Sequence, residues 1–341
     1  MTITPGKSAA QRRPLLWMGV VLLFTAVFGP AHHTPAAEQP MKKVSLILLW
    51  KPQAQFAGYY VALDKGIYTR HGLEATIIPG GPDRSPVAFL QSGKADYAVL
   101  WLSSAIQQRA AGMKLVNIAQ LIQRSSMMLV ARKSSGITTP EDMAGKKVGL
   151  WGGVLTVPPR AFLNKYNIKV REVPQSYTVN LFLRGGVEVA SVMWYNEYHT
   201  LLLSGLEPDE LTVFSLHDYG IDFAEDGLYT LEKTLRRDPD RVAAFVRASL
   251  EGWEYAFAHP DEAVEIVIKY MREARVPANR VHQTWMLDRM RDLILEGDPA
   301  APFGRLDKSD YKAVAAVLRE SGLIQTIPDY PVFTGGTHAA Q

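Results

Sequence analysis

The sequence predicts an α/β protein built as two lobes, and three observations carry that prediction. Short, continuous apolar runs recur, each followed by a stretch at helical spacing, the alternation of a parallel sheet wound with right-handed crossovers. The alternation occurs twice, on either side of the polar stretch Lys133 to Gly136, so a hinge is expected near residue 132. The chain of 341 residues, less 37 for a leader, is two domains long at roughly 150 residues each.

Each element has its own signal. Val44 to Leu49 reads as a strand buried on both faces and stopped by Pro52, and Phe56 to Tyr68 as a helix broken by Gly66 and Gly72. Leu73 to Ile78 is the second strand. Ser85 before Pro86 marks a helix start, an N-cap with proline at the first helical position. Tyr97 to Trp101, Leu115 to Ile122 and Met127 to Ala131 follow as strands, the last leaving the first lobe. Beyond the hinge, strands are expected at Val148 to Trp151, Lys169 to Val173, Val189 to Trp194 and Leu211 to Leu216, with helices between them. After Gly227 the pattern turns helical: Asp238-Pro239-Asp240 opens a helix whose apolar face is Val242, Phe245, Val246, Leu250, Trp253 and Phe257. Trp253, Met271, Trp285, Met286 and Met290 read as packing residues of this layer, which returns to the first lobe. The expected division is therefore 1–37 signal peptide, 42–131 plus about 228–330 lobe 1, 132–227 lobe 2, and a loose tail at 331–341.

Lys7, Arg12 and Arg13 precede an apolar run from Leu15 to Phe28, with small residues at Thr34 to Ala37, the pattern of a cleaved secretory signal and hence of an exported, periplasmic protein. The run is shorter than the roughly 20 residues a spanning helix needs, which makes a retained anchor the alternative. Arg12 and Arg13 also fit a twin-arginine signal. The chain has 37 basic residues, and without those three it has 34, against 34 acidic. Near-zero charge gives no electrostatic case for nucleic acid or an anionic membrane surface. No cysteine occurs, which excludes disulfides, thiol catalysis, iron–sulfur clusters and thiolate zinc sites.

In open α/β sheets small molecules bind at the carboxyl ends of strands. Four strand ends here carry aromatic and polar side chains: Trp50, Gln53, Gln55 and Phe56, with Tyr59 on the helix behind them; Trp101, Ser103 and Ser104; Trp151, Gly152 and Gly153; and Trp194, Tyr195, Asn196 and Glu197. If the two sheets face each other, these ends build a site suited to a flat heterocycle with a polar edge. Ser103 and Ser104 are expected to cap a helix, Glu197 to accept hydrogen bonds from an amino group, and Arg124 to meet an anionic group if it faces the cleft. Trp50 taken alone fits a core position equally well. Asp222, Glu225 and Asp226 read as a solvated loop cluster. His199, His217 and His259 have no evident partner, and neither a zinc-protease helix, a P-loop nor a nucleophile elbow occurs. A binder without cofactor or metal is expected rather than an enzyme.

Motifs in order along the chain carry a resemblance. Trp50-x-Pro52, Gly58 to Ala62, Asp64 to Tyr68 with Gly72-Leu73, Gly93 to Asp96, Met143 to Gly149 and Asp238 to Phe245 resemble the periplasmic substrate-binding proteins of ABC importers for thiamine pyrimidine precursors and alkanesulfonates. The likeness spans roughly residues 42 to 270. It implies the type II periplasmic-binding-protein fold, a monomer whose lobes close on a small molecule, delivery to an inner-membrane permease and ATPase, and contacts from Trp50 and the Tyr195-Asn196-Glu197 segment. The superfamily also holds a thiamine pyrimidine synthase that uses pyridoxal phosphate. By alignment through Gly93 to Asp96, its cofactor lysine falls at Leu100, its sacrificial histidine at Ser104, a second histidine at Phe56, and its cysteine motif near Ile221 to Asp226. A Schiff base needs an amine and the iron site needs thiolates, so that chemistry is not expected. An alkanesulfonate binder and a ligand-sensing domain remain the alternative readings.

Overall fold

The computed structural model describes residues 40–295 and 303–337. The signal peptide expected at 1–37 lies outside the described residues, as do 338–341 of the expected tail.

The chain enters on β1 (Lys42–Ile47), passes a 3-10 turn (Ala54–Phe56) into α1 (Ala57–Asp64) and α2 (Ile67–Arg70), and continues through β2 (Leu73–Ile78), α3 (Pro86–Ser92), β3 (Tyr97–Trp101), α4 (Leu102–Ala110) and β4 (Leu115–Gln120). β1 pairs in parallel with β2 and β3. The chain then crosses to a second set: β5 (Met127–Arg132), β6 (Lys147–Leu150), α5 (Val157–Lys165), β7 (Arg171–Pro174), α6 (Asn180–Leu183), β8 (Val189–Met193), α7 (Glu197–Leu203) and β9 (Leu211–Ser215). It returns as β10 (Asp226–Leu231), followed by α8 (Glu232–Arg237), α9 (Pro239–Ala258), α10 (Pro260–Glu273), α11 (Arg280–Leu295), α12 (Lys308–Glu320) and α13 (Tyr330–Thr334).

The result is two five-stranded sheets of orders β2-β1-β3-β10-β4 and β7-β6-β8-β5-β9. In each, the fourth strand runs antiparallel to its neighbours. That strand is the first one laid down after a crossing, so it arrives from the other sheet rather than over a helix. Neither sheet is therefore wholly parallel, as simple strand–helix alternation would have it.

Local chemistry explains the element ends. Ser85 accepts from the Ala88 N–H at 3.3 Å with Pro86 behind it, and Gly93 ends α3 at φ +71°. Asp238 caps α9 through the Arg241 N–H at 3.0 Å. Gly58 on α1 and Gly252 on α9 lie where the helices cross: a Cβ on Gly58 would overlap the Trp253 indole, and one on Gly252 the Gly58 carbonyl. Phe245 is stacked between Tyr97 and Tyr68, with centroids 3.9 and 5.5 Å away, which anchors α9 to β3 and α2. Trp253, Met271, Met286 and Met290 are buried as expected, whereas Trp285 is half-buried against the second sheet's α7.

Three expectations about extent need correction. Met127–Ala131, assigned to lobe 1, hydrogen-bonds to β8 and β9 of the second sheet, so the crossing precedes residue 127 rather than lying near 132. Asp226 and Gly227, assigned to lobe 2, already pair with Trp101 and Leu100 of the first sheet. The stretch 331–337 is not a loose tail: α13 packs on β4, Phe333 is fully buried against Tyr229, and Thr337 donates to the Asn117 carbonyl at 3.2 Å.

Candidate functional site

The carboxyl ends of the parallel strands from both sheets open on one cavity of about 360 Å³. From the first sheet, Trp50 follows β1, Gln53 and Gln55 come from the turn before α1, Arg84 and Ser85 lie after β2, and Trp101 and Ser104 sit at the β3–α4 junction. From the second, Trp151 and Gly152 follow β6, Tyr177 follows β7, and Tyr195, Asn196 and Glu197 follow β8. Of the residues expected at the site, Trp50, Gln53, Gln55, Ser104, Trp151, Gly152, Tyr195, Asn196 and Glu197 are brought together here. Phe56 and Tyr59 are not: both are buried in the core, Tyr59 edge-on to Trp253. Ser103 is buried beside the wall, its hydroxyl without a protein partner. Nor do Ser103 and Ser104 cap α4, since Trp101 is the N-cap residue and the serines belong to the first turn. The Leu102 N–H is taken by the Glu225 carbonyl at 3.0 Å.

Rings from the two sheets meet at the cavity. Trp50 lies 4.6 Å from Tyr177 at an interplanar angle of 58°, while the Trp151 indole donates to the Ser176 carbonyl at 3.1 Å and so stays fixed in its wall. Trp194 points the other way: the Arg289 guanidinium sits 4.8 Å from both the Trp194 and the Trp285 rings. Arg124 lies beside His217 on the crossing rather than on the cavity.

The polar wall is directional. Gln53 Nε2 donates to Gln55 Oε1 at 2.6 Å, and Gln55 Nε2 donates to Asp226 Oδ2 at 2.7 Å. The turn that carries Gln55 is itself held from α11, through Ala54 N–H to Gln283 Oε1 at 2.7 Å and Gln55 N–H to Met286 Sδ at 3.2 Å. Asp226 and Glu225, expected to be solvated, are both buried because β10 carries them into the first sheet. Burial pushes the Asp226 carboxyl up to about 7, with Gln55 opposing. It pushes Glu225 up to about 8, against hydrogen bonds from Ser126. Those bonds, 2.7 Å from both the Ser126 N–H and its hydroxyl, tie the two crossing segments together, as does Ser125 N–H to Asp222 at 2.8 Å. Glu197 is raised to about 7, mainly by burial, while accepting from the Met193 N–H at 3.1 Å and Asn196 Nδ2 at 2.8 Å.

The histidines expected to lack partners have them. His217 Nδ1 lies 2.7 Å from Asp222, His199 Nδ1 lies 2.9 Å from His282 Nδ1, and the His259 ring packs 4.3 Å from Tyr255. Among the described residues there is no cluster of three or more side chains able to hold a metal ion, and no helix long and apolar enough to cross a membrane.

Sequence reasoning missed Tyr177, Arg84 and the buried Asp226. The first two follow β7 and β2, so the rule that pointed to Trp50 would have found them had it been applied to every parallel strand. Burial of Asp226 depends on a pairing across more than a hundred residues and leaves no local signal.

A family model described as "NMT1/THI5 like" matches residues 53–263. The chain is 26% identical to the riboflavin-binding protein RibY of Chloroflexus aurantiacus, over 75% of this chain and 77% of that one. It is 24% identical to the formylaminopyrimidine-binding protein of Halalkalibacterium halodurans, over 84% and 87%. It is 25% identical to the 4-amino-5-hydroxymethyl-2-methylpyrimidine phosphate synthase of Legionella pneumophila, over 69% and 76%. Among solved structures, the periplasmic aliphatic sulphonate binding protein SsuA of Escherichia coli superposes with a TM-score of 0.68 at 15% identity, covering 86% of this chain and 91% of that one. The last likeness identifies the periplasmic-binding-protein fold.

Proposed function

The chain belongs to the NMT1/THI5-like family, and from that premise we propose that it is an exported solute-binding protein for a small flat heterocycle of the aminopyrimidine class. On this reading one lobe is built on the first sheet with the C-terminal helices and the other on the second sheet. They close around the ligand, and a monomer hands it to an inner-membrane permease and ATPase. The observation that carries the reading is one cavity with aromatic walls from both sheets, lined also by the Glu197 carboxyl and the Gln53 and Gln55 amides, the latter braced by Asp226 behind it. Rings stack on a heterocycle's faces while carboxyl and amide groups meet its amino and ring nitrogens. Relatives named for riboflavin and formylaminopyrimidine binding support a heterocycle over a sulfonate. A sulfonate would want several donors facing three oxygens; the lining supplies one cation, Arg84, and sets against it the Glu197 carboxyl, which repels an anion when ionised.

A synthase role is disfavoured by this chain's own residues. Leu100 is a buried apolar strand residue, Phe56 is buried core, and the 341-residue sequence has no cysteine. Those positions supply no amine for an imine and no thiolate for iron.

The test is a thermal-shift screen with 4-amino-5-hydroxymethyl-2-methylpyrimidine, formylaminopyrimidine, thiamine, riboflavin and alkanesulfonates. A ligand at a hundred times its Kd should stabilise the fold by about 2.7 kcal/mol. A rise with a pyrimidine is expected; a rise with alkanesulfonates alone rejects the proposal. Pyrimidine uptake that persists without this chain would favour a sensor over a carrier.

A further inference from the structure

Helix α11 touches both halves of the molecule. It holds the Gln53–Gln55 turn through Gln283 and Met286 on one side. On the other it meets α7, where the His199 and His282 rings lie parallel within 3° and meet edge to edge with centroids 5.2 Å apart, and Trp285 stacks on His199 at 4.7 Å and 3°. Trp285 Nε1 also donates to the Trp194 carbonyl at 3.1 Å, beside the β8 end that lines the cavity.

Hydrogen-bond polarity can be read outward from the cavity. Above its raised value of about 7 Glu197 is ionised and its carboxylate can only accept, so the Asn196 amide turns its Nδ2 toward Oε1 at 2.8 Å and its Oδ1 away. Asn196 Oδ1 lies 2.9 Å from His282 Nε2, which must therefore carry the proton. A neutral imidazole has one N–H, so His282 Nδ1 is left as an acceptor, and the atom facing it at 2.9 Å, His199 Nδ1, must be the donor. Burial and the neighbouring His199 hold the His282 ring down to about 4, so it is neutral at ordinary pH, as this order requires.

We propose that His282 is a positioning residue for the ligand site: from α11 it fixes the Asn196 amide, and through it the Glu197 carboxyl, within the chain His199 Nδ1–H, His282, Asn196, Glu197. This rests on the solute-binding reading for its effect on affinity, but the chain of hydrogen bonds stands on geometry alone. Two groups that touch the cavity from the second sheet are thereby set by the same helix that holds the Gln53–Gln55 turn of the first. Without His282 the Asn196 Oδ1 loses the donor that holds it, and the amide is free to swing away from Glu197.

The experiment has two arms. Imidazole nitrogen NMR on the whole protein without added ligand, at about pH 8 where Glu197 is ionised, should find His282 as the Nε2–H tautomer and His199 as the Nδ1–H tautomer; His282 protonated on Nδ1 overturns the proposal, whether or not any ligand is known. Titration with 4-amino-5-hydroxymethyl-2-methylpyrimidine should then show His282→Ala weakening binding about five- to tenfold, and His282→Gln, whose amide can donate to Asn196, recovering most of it. Unchanged affinity in His282→Ala, or equal loss in both variants, overturns it. Failure of the pyrimidine to bind the unmodified protein counts against the proposed ligand and leaves the tautomer arm to decide the relay.

Discussion

The two sheets share a topology and differ in what covers them. Both have three parallel strands, then an antiparallel strand delivered by a crossing, then an edge strand. Yet α9 to α13 follow β10, and the first sheet gains α9, α12 and α13 while the second keeps short helices such as α6, four residues long. In the second sheet, alternate residues of β5 split between faces: Met127, Leu129 and Ala131 join the large core, and Met128 and Val130 a smaller cluster with Phe182 and Leu201. The lesson is that one strand grammar builds two cores of unequal depth. The buried cavity residues of both sheets, Trp101 from the first and Trp151, Met193 and Tyr195 from the second, belong to the deep one.

The sharpest way to break this comparison is to truncate one phenylalanine in each half. Phe245→Ala removes a ring stacked on both faces and should cost about 3–5 kcal/mol in urea denaturation. Phe182→Ala, on a four-residue helix beneath Arg132, should fall at or below the low end of that range; an equal or larger loss there would refute unequal depth. Next in size is Trp50→Ala, which takes the first sheet's ring away from Tyr177. Calorimetric titration with a pyrimidine should lose at least tenfold in affinity, about 1.4 kcal/mol, with little change in melting temperature.

The crossing gives a pH test. Glu225, Asp226 and Glu197 are all raised in the fold, so between roughly pH 4.5, where free carboxyls ionise, and their folded values of about 7 to 8 the native state binds more protons than the unfolded one. Stability contributed by these groups is therefore full at low pH in that window and declines as pH rises through it. Melting curves from pH 5 to 8 should show this decline, and Glu225→Gln should flatten it. The smallest effect is expected at the exposed Arg160–Glu172 pair on the second half, where Arg160→Ala should change stability by less than about 1 kcal/mol.

Most strands were legible because their signal is local. Leu73–Ile78 and Tyr97–Trp101 are bounded in the structure as their apolar runs are in the sequence. Membership was not legible: an apolar run such as Met127–Arg132 says that it is a strand but not which sheet will take it. The site divided the same way. Trp50, Trp151 and Glu197 follow from their places at strand ends, whereas Phe56 and Tyr59 turned inward because the crossing of α1 and α9 at Gly58 and Gly252 draws that helix into the core. The carboxyls at 225 and 226 were misread because charge predicts exposure unless a distant strand closes over it.

The paired crossings have one more implication. Ser126 and Glu225 lash two neighbouring strips of backbone side by side, and a double strip of this kind folds along one line while resisting torsion about its length. If the lobes close on a ligand as proposed, these bonds would channel the motion into a single swing, and Trp50 and Tyr177 would part and meet again in the same register.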